Sequence, residues 1–580
     1  MADFHYVIGI GGVGSRIMES VVRLCESGYF VQDRITCLMI DADANCGNTL
    51  QTSKLLKDYS SCREKIGAGG KIFTTELVGV GDGKNKTFVA TPIKETALTV
   101  EDDLVKLSSR EAYNFMNATY SEEEYTMNVT EGFYGKPTVG SLVFARSIDS
   151  DNGAISKVIN DISMNTASDE NRVFVYLAAS LFGGTGASGL PTIASAIKGK
   201  ATKRENLHMM ACLMLPYFKF DKPPATDSAA ADGDSRPQIN HENFAINAQN
   251  AINFYSKQLG TGTFDKVYMV GDPDKLVRGK YYTEGTNQLN MPHILELFGA
   301  AQAKKFFDSS PAKKDYENTE WYADPYQLKG DTLSDLVWSD YSDGGNLRTA
   351  TERFMLFNYY FSMYIVPKIF NYSGRAGQFF ELRGFNAAEE TNVPSWIYDG
   401  NFGFDEYRGL IFRKRHFIGW QEGIPSTSFE MLFEYLTDSA KWYCNLIHEY
   451  QRDAVTCWTC TAQTCNENFS GQLNQCMSPR TLLSGLFGDN SRGSVMIAKR
   501  ACFTYWLDKV NKPKDSEFQD KADEFIKDVP GHALLNAVEN PLDSDMFSGL
   551  SLTKENKAEV FMQLVHQVYD IVSSLKSQSQ

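Results

Sequence analysis

Short apolar runs separated by amphipathic and glycine-rich stretches organise the first half of the chain. Tyr6–Ile10, Ile35–Ile40, Val173–Ala179, Met209–Leu215 and Lys266–Val270 are rich in Val, Ile, Leu, Met and Ala. Runs of this kind predict strands buried on both faces. After the first of them, Ile17, Val21, Val22 and Leu24 recur among Arg16, Glu19 and Arg23 at the spacing of an amphipathic helix. Strands and helices alternate in this way to about residue 275, which predicts an α/β fold built on a parallel sheet.

Two stretches interrupt the pattern. Residues 50–135 are polar and rich in Lys, Thr, Glu and Gly, and read as an insertion or elaborated loop layer. Asp221–Pro237 is rich in Pro, Ala, Asp and Ser and reads as irregular. Met291–Asp308 then predicts a long helix on Ile294, Leu297, Phe298, Ala301 and Phe306. Beyond it the periodicity supports helices over Leu347–Tyr364, Phe429–Gln451, Ser494–Lys509 and Ala558–Leu575, with less regular strands such as Gly409–Arg413 between them. No internal repeat is evident.

Charge narrows the classes of function. The 580 residues carry a formal net charge of -15, which disfavours sequence-independent contact with nucleic acid or anionic membrane surfaces. The richest apolar stretch, Phe354–Ile369, is broken by Asn358, Ser362, Pro367 and Lys368, so no membrane span is expected. Met1–His5 has neither the basic nor the apolar region of a signal peptide. Cys25, Cys37, Cys46, Cys62 and Cys212 are dispersed, as in a reduced, cytoplasmic protein.

Candidate chemistry lies in two glycine runs. Gly183-Gly184-Thr185-Gly186-Ala187-Ser188-Gly189 follows the Val173–Ala179 strand and precedes a helix that Pro191 is expected to open. Gly9-Ile10-Gly11-Gly12-Val13-Gly14-Ser15 follows the first strand, and Asp41-Ala42-Asp43 ends the second. A glycine-rich strand-to-helix turn lets backbone N–H groups approach an anion closely. Thr185 and Ser188 are candidate hydroxyl donors to it.

The order of these pieces resembles the tubulin/FtsZ superfamily of GTPases. The resemblance rests on the first glycine turn, on Ile40-Asp41-Ala42-Asp43-Ala44 at the second strand end, and on Gly135-Lys136-Pro137-Thr138-Val139-Gly140. It continues through the Gly183–Gly189 signature, with Pro191 in step, to Phe298-Gly299-Ala300-Ala301-Gln302-Ala303 at the start of the central helix. Gly67–Gly70 also looks like a family loop but lies far upstream of the signature. Three departures stand out: the large insertion, Phe182 in place of the first signature glycine, and Ala303 where FtsZ has an acid near the base. They suggest a divergent bacterial or phage tubulin-like protein.

The resemblance implies a tubulin-like, Rossmann-type GTPase domain over 1–290, a central helix and synergy loop over 291–345, and an enlarged α+β C-terminal region over 346–580. It implies GTP/GDP with Mg²⁺, bound by Gly11, Gly12, Gly14, Ser15, Arg16, Asp43, Thr138, Gly140, Gly183, Gly184, Thr185, Gly186, Ala187, Ser188, Phe298 and Gln302. Arg16 and Gln302 would contact the purine, with Phe298 beside it. It implies self-assembly head to tail, an acidic loop of the next subunit completing the hydrolytic site. Asp331 and Asp335 best match that loop, four residues apart rather than three; Asp324, Asp340 and Asp343 are nearby. The C-terminal region would carry any adaptor contact.

Other readings remain open. The first sixty residues are also similar to ATP-dependent adenylating enzymes, which would leave Gly183–Gly189 and Phe298–Ala301 unexplained. A nucleotide-bound scaffold that does not hydrolyse is a third. Cys444, Cys457, Cys460, Cys465 and Cys476, with His448, are compatible with a structural Zn²⁺ site or with buried thiols.

Overall fold

A computed structural model describes most of residues 2–360 and, beyond them, isolated helical positions within 431–443 and 562–570. Segments 94–98, 100–109, 149–152, 221–242, 259–262, 272–276, 280–287, 310–319 and 324–342, with a few single positions, lie outside the description. The chain divides into two compact units. One comprises Met1–Val22, Gln32–Lys57 and Thr75–Pro325; the other comprises Arg23–Val31, Asp58–Thr74 and Tyr326–Gln580.

The first unit opens with strand β1 (Ala2–Ile10), helix α1 (Gly11–Glu26, whose last turn falls in the other unit), β2 (Arg34–Ile40) and α2 (Gly47–Ile66, shared in the same way). Then come β3 (Glu76–Val78), β4 (Val89–Ala90), α3 (Arg110–Thr119), α4 (Glu122–Thr126), α5 (Pro137–Ile148) and α6 (Ala154–Asn165). After these follow β5 (Asn171–Ser180), α7 (Gly184–Lys200), β6 (Leu207–Met214), β7 (Phe218–Phe220), α8 (Phe244–Gln258), β8 (Lys266–Val270) and β9 (Val277–Gly279). Helix α9 (Ile294–Phe307) and β10 (Glu320–Ala323) complete it.

Strands pair in the order β10-β8-β6-β5-β1-β2-β3, with β4 also on β2, and every pairing is parallel. Strands β7 and β9 form a separate parallel pair. From β1 the chain winds outward to β2, β3 and β4, then returns to β5 and winds the other way. The carboxyl ends of β1 and β5 therefore flank a topological switch point, where open α/β sheets leave a crevice. Register aligns those ends: Ile10 pairs with Ala179 on one side and with Ile40 on the other.

Both faces of the central strands are covered, as their unbroken apolar runs predict; β6 is buried along its whole length. Alternate β5 residues face α9: Phe174 packs edge-on to Phe306, and the Tyr176 hydroxyl donates to the Gly299 carbonyl. Helix α7 packs on β5 and β1, and α5 and α6 pack on α7.

Several expectations need correction. The 50–135 stretch is more than a loop layer: it carries most of α2 and the two short strands that extend the sheet. Helix α7 is not opened by Pro191; it begins at Gly184, with Pro191 inside it. The central helix starts at Ile294 rather than Met291, because His293 caps it: its ring nitrogen accepts the Leu295 N–H, and Glu296 returns to the His293 N–H. The Asp221–Pro237 segment, Gly409–Arg413 and Ser494–Lys509 lie outside the described residues.

In the second unit, helix α10 (Gly344–Tyr360) replaces the expected Leu347–Tyr364. Its core includes Phe354, Phe357, Leu432, Tyr435, Leu436 and Tyr569. A buried Arg23–Glu26 ion pair is closed by the Ser439 hydroxyl on Glu26, with the Tyr435 ring 5.7 Å from the guanidinium carbon.

Candidate functional site

The two glycine runs meet at the switch point. Gly11, the first residue after β1, has φ +74°, a left-handed conformation natural to glycine and strained for other residues. A Cβ there would lie 3.2 Å from the Gly186 nitrogen and 3.4 Å from Thr185 Cβ. The turn is thus pressed onto the first turn of α7. Gly14 serves packing: its Cβ would fall 2.7 Å from the Ala178 carbonyl oxygen of β5, so α1 sits directly on the sheet.

Gly183 is the N-cap of α7 and offers its first turn no side-chain hydrogen bond. The third expected loop joins the same place. A Cβ at Gly184 would meet Phe133 and, at 3.1 Å, the Gly135 nitrogen; one at Gly140 would collide with Ser188. Gly135–Gly140, rather than Gly67–Gly70, therefore lies against the signature. Gly70 instead approaches the His566 ring in the second unit. The starts of α1, α5 and α7 gather here, and each helix N-terminus presents partial positive charge and N–H donors.

Phe182 does not obstruct this arrangement. Its ring is buried among Phe244, Phe218 and Tyr217, with centroids 4.8, 5.4 and 6.2 Å away. Ser188, expected as a donor, is turned inward: fully buried, its hydroxyl donates to the Gly184 carbonyl at 2.7 Å. Ala187 is buried one residue earlier, and its carbonyl accepts the Tyr255 hydroxyl at 2.6 Å. Thr185 remains the side chain of this run that faces the Gly11 turn. Thr138, at the start of α5, is exposed, and its hydroxyl lies 3.4 Å from a Glu124 carboxylate oxygen.

At the end of β2, Asp43 accepts the Asn45 N–H at 2.8 Å. Asp41, which motif reasoning passed over, is the more constrained acid. It accepts the Asp43 N–H at 3.3 Å and the Thr49 hydroxyl at 3.3 Å, and Thr49 in turn shares a 2.9 Å hydrogen bond with Ser15. Burial pushes the Asp41 carboxyl up to about 7, a neighbouring Asp43 adding to the effect against several hydrogen bonds. Ser15 of α1 is thus buried against Thr49 of α2. Gly12 lies under α2's start: its Cβ would be 3.7 Å from Asn48 Nδ2 and 3.8 Å from Cys46 Sγ.

Arg16 is committed elsewhere than expected. Its guanidinium forms a buried ion pair with Glu296 in the first turn of α9, and lies 5.8 and 5.6 Å from the Tyr217 and Phe218 ring centroids. The Tyr217 hydroxyl also donates to Glu296. Burial alone would lower the Arg16 pKa, but Glu296 and Tyr217 outweigh it and raise it. His293 beside them is driven down to about 3 by burial and by Arg16, which keeps it neutral and able to cap α9. Phe298 and Gln302 are buried in α9, and α9 packs on β5, β6 and β8. No sequence signal announced Glu296 or Tyr217 as partners of Arg16.

Asp331 and Asp335 lie outside the described residues, as do Asp324, Asp340 and the Cys444–Cys476 cluster with His448. Asp343 is described and accepts the Tyr29 hydroxyl at 2.7 Å in the second unit. Among the described residues no group of three or more His, Cys, Asp or Glu is placed to hold a metal ion. In the same set no helix is long and apolar enough to cross a membrane.

Residues 6–234 match the family model described as tubulin like. No curated protein matches the chain. The matched span, less than half of the chain, carries β1, the Gly11 turn, the Asp41–Asp43 strand end, Gly135–Gly140 and the Gly183–Gly189 helix start, and it supports membership of the tubulin/FtsZ superfamily.

Proposed function

We propose that this protein binds GTP at the β1–β5 switch point, hydrolyses it, and assembles head to tail, with Asp331 and Asp335 of the next subunit completing the site. One observation carries the reading: the Gly11 turn, Gly135–Gly140 and the uncapped start of α7 are packed together at the carboxyl ends of the central strands β1 and β5. Glycines at the contacts, N–H groups of three helix starts and the Thr185 hydroxyl make a cradle suited to a polyphosphate. Two glycine runs folded against each other also favour this reading over adenylating chemistry, which would use only the first.

The chain's own residues supply binding and orientation. Backbone N–H groups at Gly11, Gly12 and Gly184–Gly186 would hold phosphate oxygens, and Gly11 lets the turn approach α7 without a side chain between them. Phosphoryl transfer needs positioning and charge neutralisation more than a nucleophilic side chain. The oxygen donors nearby, Asp43 and Thr185, are few, which suits a Mg²⁺ that keeps most of its waters; when bound, that ion neutralises phosphate charge. An acid delivered by a second subunit would place a water for attack and couple turnover to assembly.

The test is GTP turnover against protein concentration, with ATP in parallel and light scattering recorded together. Specific activity rising above a threshold concentration, together with scattering, is the expected result. Turnover with ATP alone, or activity flat in concentration, overturns the assembly-coupled mechanism. Scattering without turnover leaves a nucleotide-bound scaffold. Singly and doubly substituted Asp331→Asn and Asp335→Asn proteins assign the acids: persistent turnover in all three removes them from the mechanism.

A further inference from the structure

A polyphosphate brings several negative charges into a cradle whose side chains offer little to meet them. The stretches Gly9–Ser15, Gly135–Gly140 and Phe182–Gly189 contain a single basic residue, Lys136. Arg16, which follows the first of them, is paired with Glu296. Asp41 and Asp43 add negative charge at the end of β2, in register with the end of β1. Helix starts contribute only partial charges, so Lys136 is the full positive charge of these three loops.

Lys136 occupies the turn that enters α5. Its N–H donates to the Phe133 carbonyl at 2.7 Å, and its carbonyl accepts the Gly140 N–H at 3.4 Å. Gly135, one residue earlier, has φ +76°, and its nitrogen lies 3.1 Å from the position of a Cβ on Gly184. Lys136 is therefore one residue from the point where this loop closes on the start of α7. Its side chain is half-buried, and its flexible four-carbon stem lets the ammonium group change partners without moving the backbone.

The anion that meets this charge in the structure is Glu124 of α4, a helix from the 50–135 insertion. Residues before and within α4 rest on the start of α5: the Tyr120 hydroxyl donates to the Thr138 carbonyl at 3.1 Å, and the Thr138 hydroxyl lies 3.4 Å from Glu124 Oε1. Glu124 Oε2 accepts the Ser121 N–H at 2.9 Å and the Ser121 hydroxyl at 3.0 Å. Burial works against the Glu124 charge. The Ser121 donors, the positive charge of Lys136 and the Thr138 hydroxyl outweigh it and hold the carboxyl below its ordinary range.

We propose that Lys136 is the phosphate-binding cation of the cradle and that Glu124 competes with the phosphates for it, so that the inserted segment tunes nucleotide affinity. The proposal rests on the nucleotide-binding reading above. A partly exposed ion pair is weak, so Lys136 exchanges Glu124 for a more highly charged phosphate group at little cost and gains a charge-assisted hydrogen bond. Glu124 keeps its Ser121 donors through the exchange, since the capping box does not involve Lys136.

The experiment measures equilibrium GTP binding to the full chain and to Lys136→Met, Lys136→Arg and Glu124→Gln variants, with the Glu124→Gln, Lys136→Met double variant closing a cycle. Circular dichroism confirms that each is folded, and glutamine at 124 preserves the capping box. GTP affinity should fall about tenfold in Lys136→Met, stay within about threefold in Lys136→Arg, and rise about threefold in Glu124→Gln. The gain from Glu124→Gln should shrink when Lys136 is already methionine. Unchanged affinity in Lys136→Met, or an equal loss in Lys136→Arg, overturns the cationic role. Unchanged or weaker binding in folded Glu124→Gln, or the same gain in both backgrounds, overturns the competition. Absence of GTP binding by the unsubstituted chain would overturn the nucleotide reading itself, a distinct result.

Discussion

The Tyr255 hydroxyl donates to the backbone carbonyl of Ala187 at 2.6 Å, the carbonyl that Pro191 leaves without its helical partner. In an unbroken helix the residue at 191 would donate its N–H to residue 187; proline has none. Tyr255 of α8 supplies the missing donor from outside, and burial raises its phenol pKa so that the proton stays in place. Pro191 is therefore tolerated in the eighth position of α7, where its ring would otherwise weaken the helix whose start forms the cradle. Tyr255→Phe should cost about 1–3 kcal/mol of stability by stranding that carbonyl. In a Pro191→Ala background, which restores the N–H, the same change should cost less. Chemical denaturation of the four proteins in this cycle checks the coupling; strict additivity would refute it.

The Arg16–Glu296 pair should behave as a buried ion pair. Arg16→Met leaves the Glu296 carboxylate buried and uncompensated and should destabilise by about 3–5 kcal/mol. Adding Glu296→Leu removes that charge and should recover most of the loss. If Arg16 does not read the base, the recovered double variant keeps the GTP-to-ATP ratio of the unsubstituted protein. A collapse of that ratio would return Arg16 to the base site.

Gly11 makes a prediction of opposite character. Gly11→Val places a β-branched side chain at φ +74° and into the 3.2 Å gap to Gly186. The left-handed backbone alone costs about 1–2 kcal/mol, and the branched side chain would in addition sit in the cradle. Loss of nucleotide binding should exceed what the stability loss explains. Binding titrations under conditions where circular dichroism reports a folded protein separate the two effects.

Asp41 predicts a pH dependence. Its folded pKa, raised to about 7 by burial, lies above the ordinary value of 3.8. Between about pH 4 and 7 the folded state therefore binds more protons than the unfolded one, and this group's contribution to stability falls as pH rises through that window. Below the window the contribution is fully present; above it, it is lost. Asp41→Asn should flatten the stability profile between pH 4 and 7 and keep an acceptor for the Asp43 N–H. Thermal denaturation across that range, compared between the two proteins, decides it: parallel profiles would mean that Asp41 does not titrate there.

Sequence alone determined the central strands of the sheet and the position of its glycine-rich turns. The Tyr6–Ile10 and Val173–Ala179 runs, each followed by glycines, are local signals, because strand burial and a glycine-rich turn are both written in neighbouring residues. Partners distant along the chain were decided only by the tertiary structure. Nothing near residue 16 marks Glu296 as its counter-charge, nothing in Gly183–Gly189 shows that Ser188 turns inward while Thr185 faces Gly11, and Pro191 reads as a helix opener until Tyr255 is seen to satisfy Ala187. Strands β3 and β4 were hidden for the related reason that two or three residues gain strand geometry from pairing with β2, not from their own periodicity. Hydrophobic pattern and turn chemistry act over a few residues; the pairing of buried charges and carbonyls depends on which elements the fold brings together.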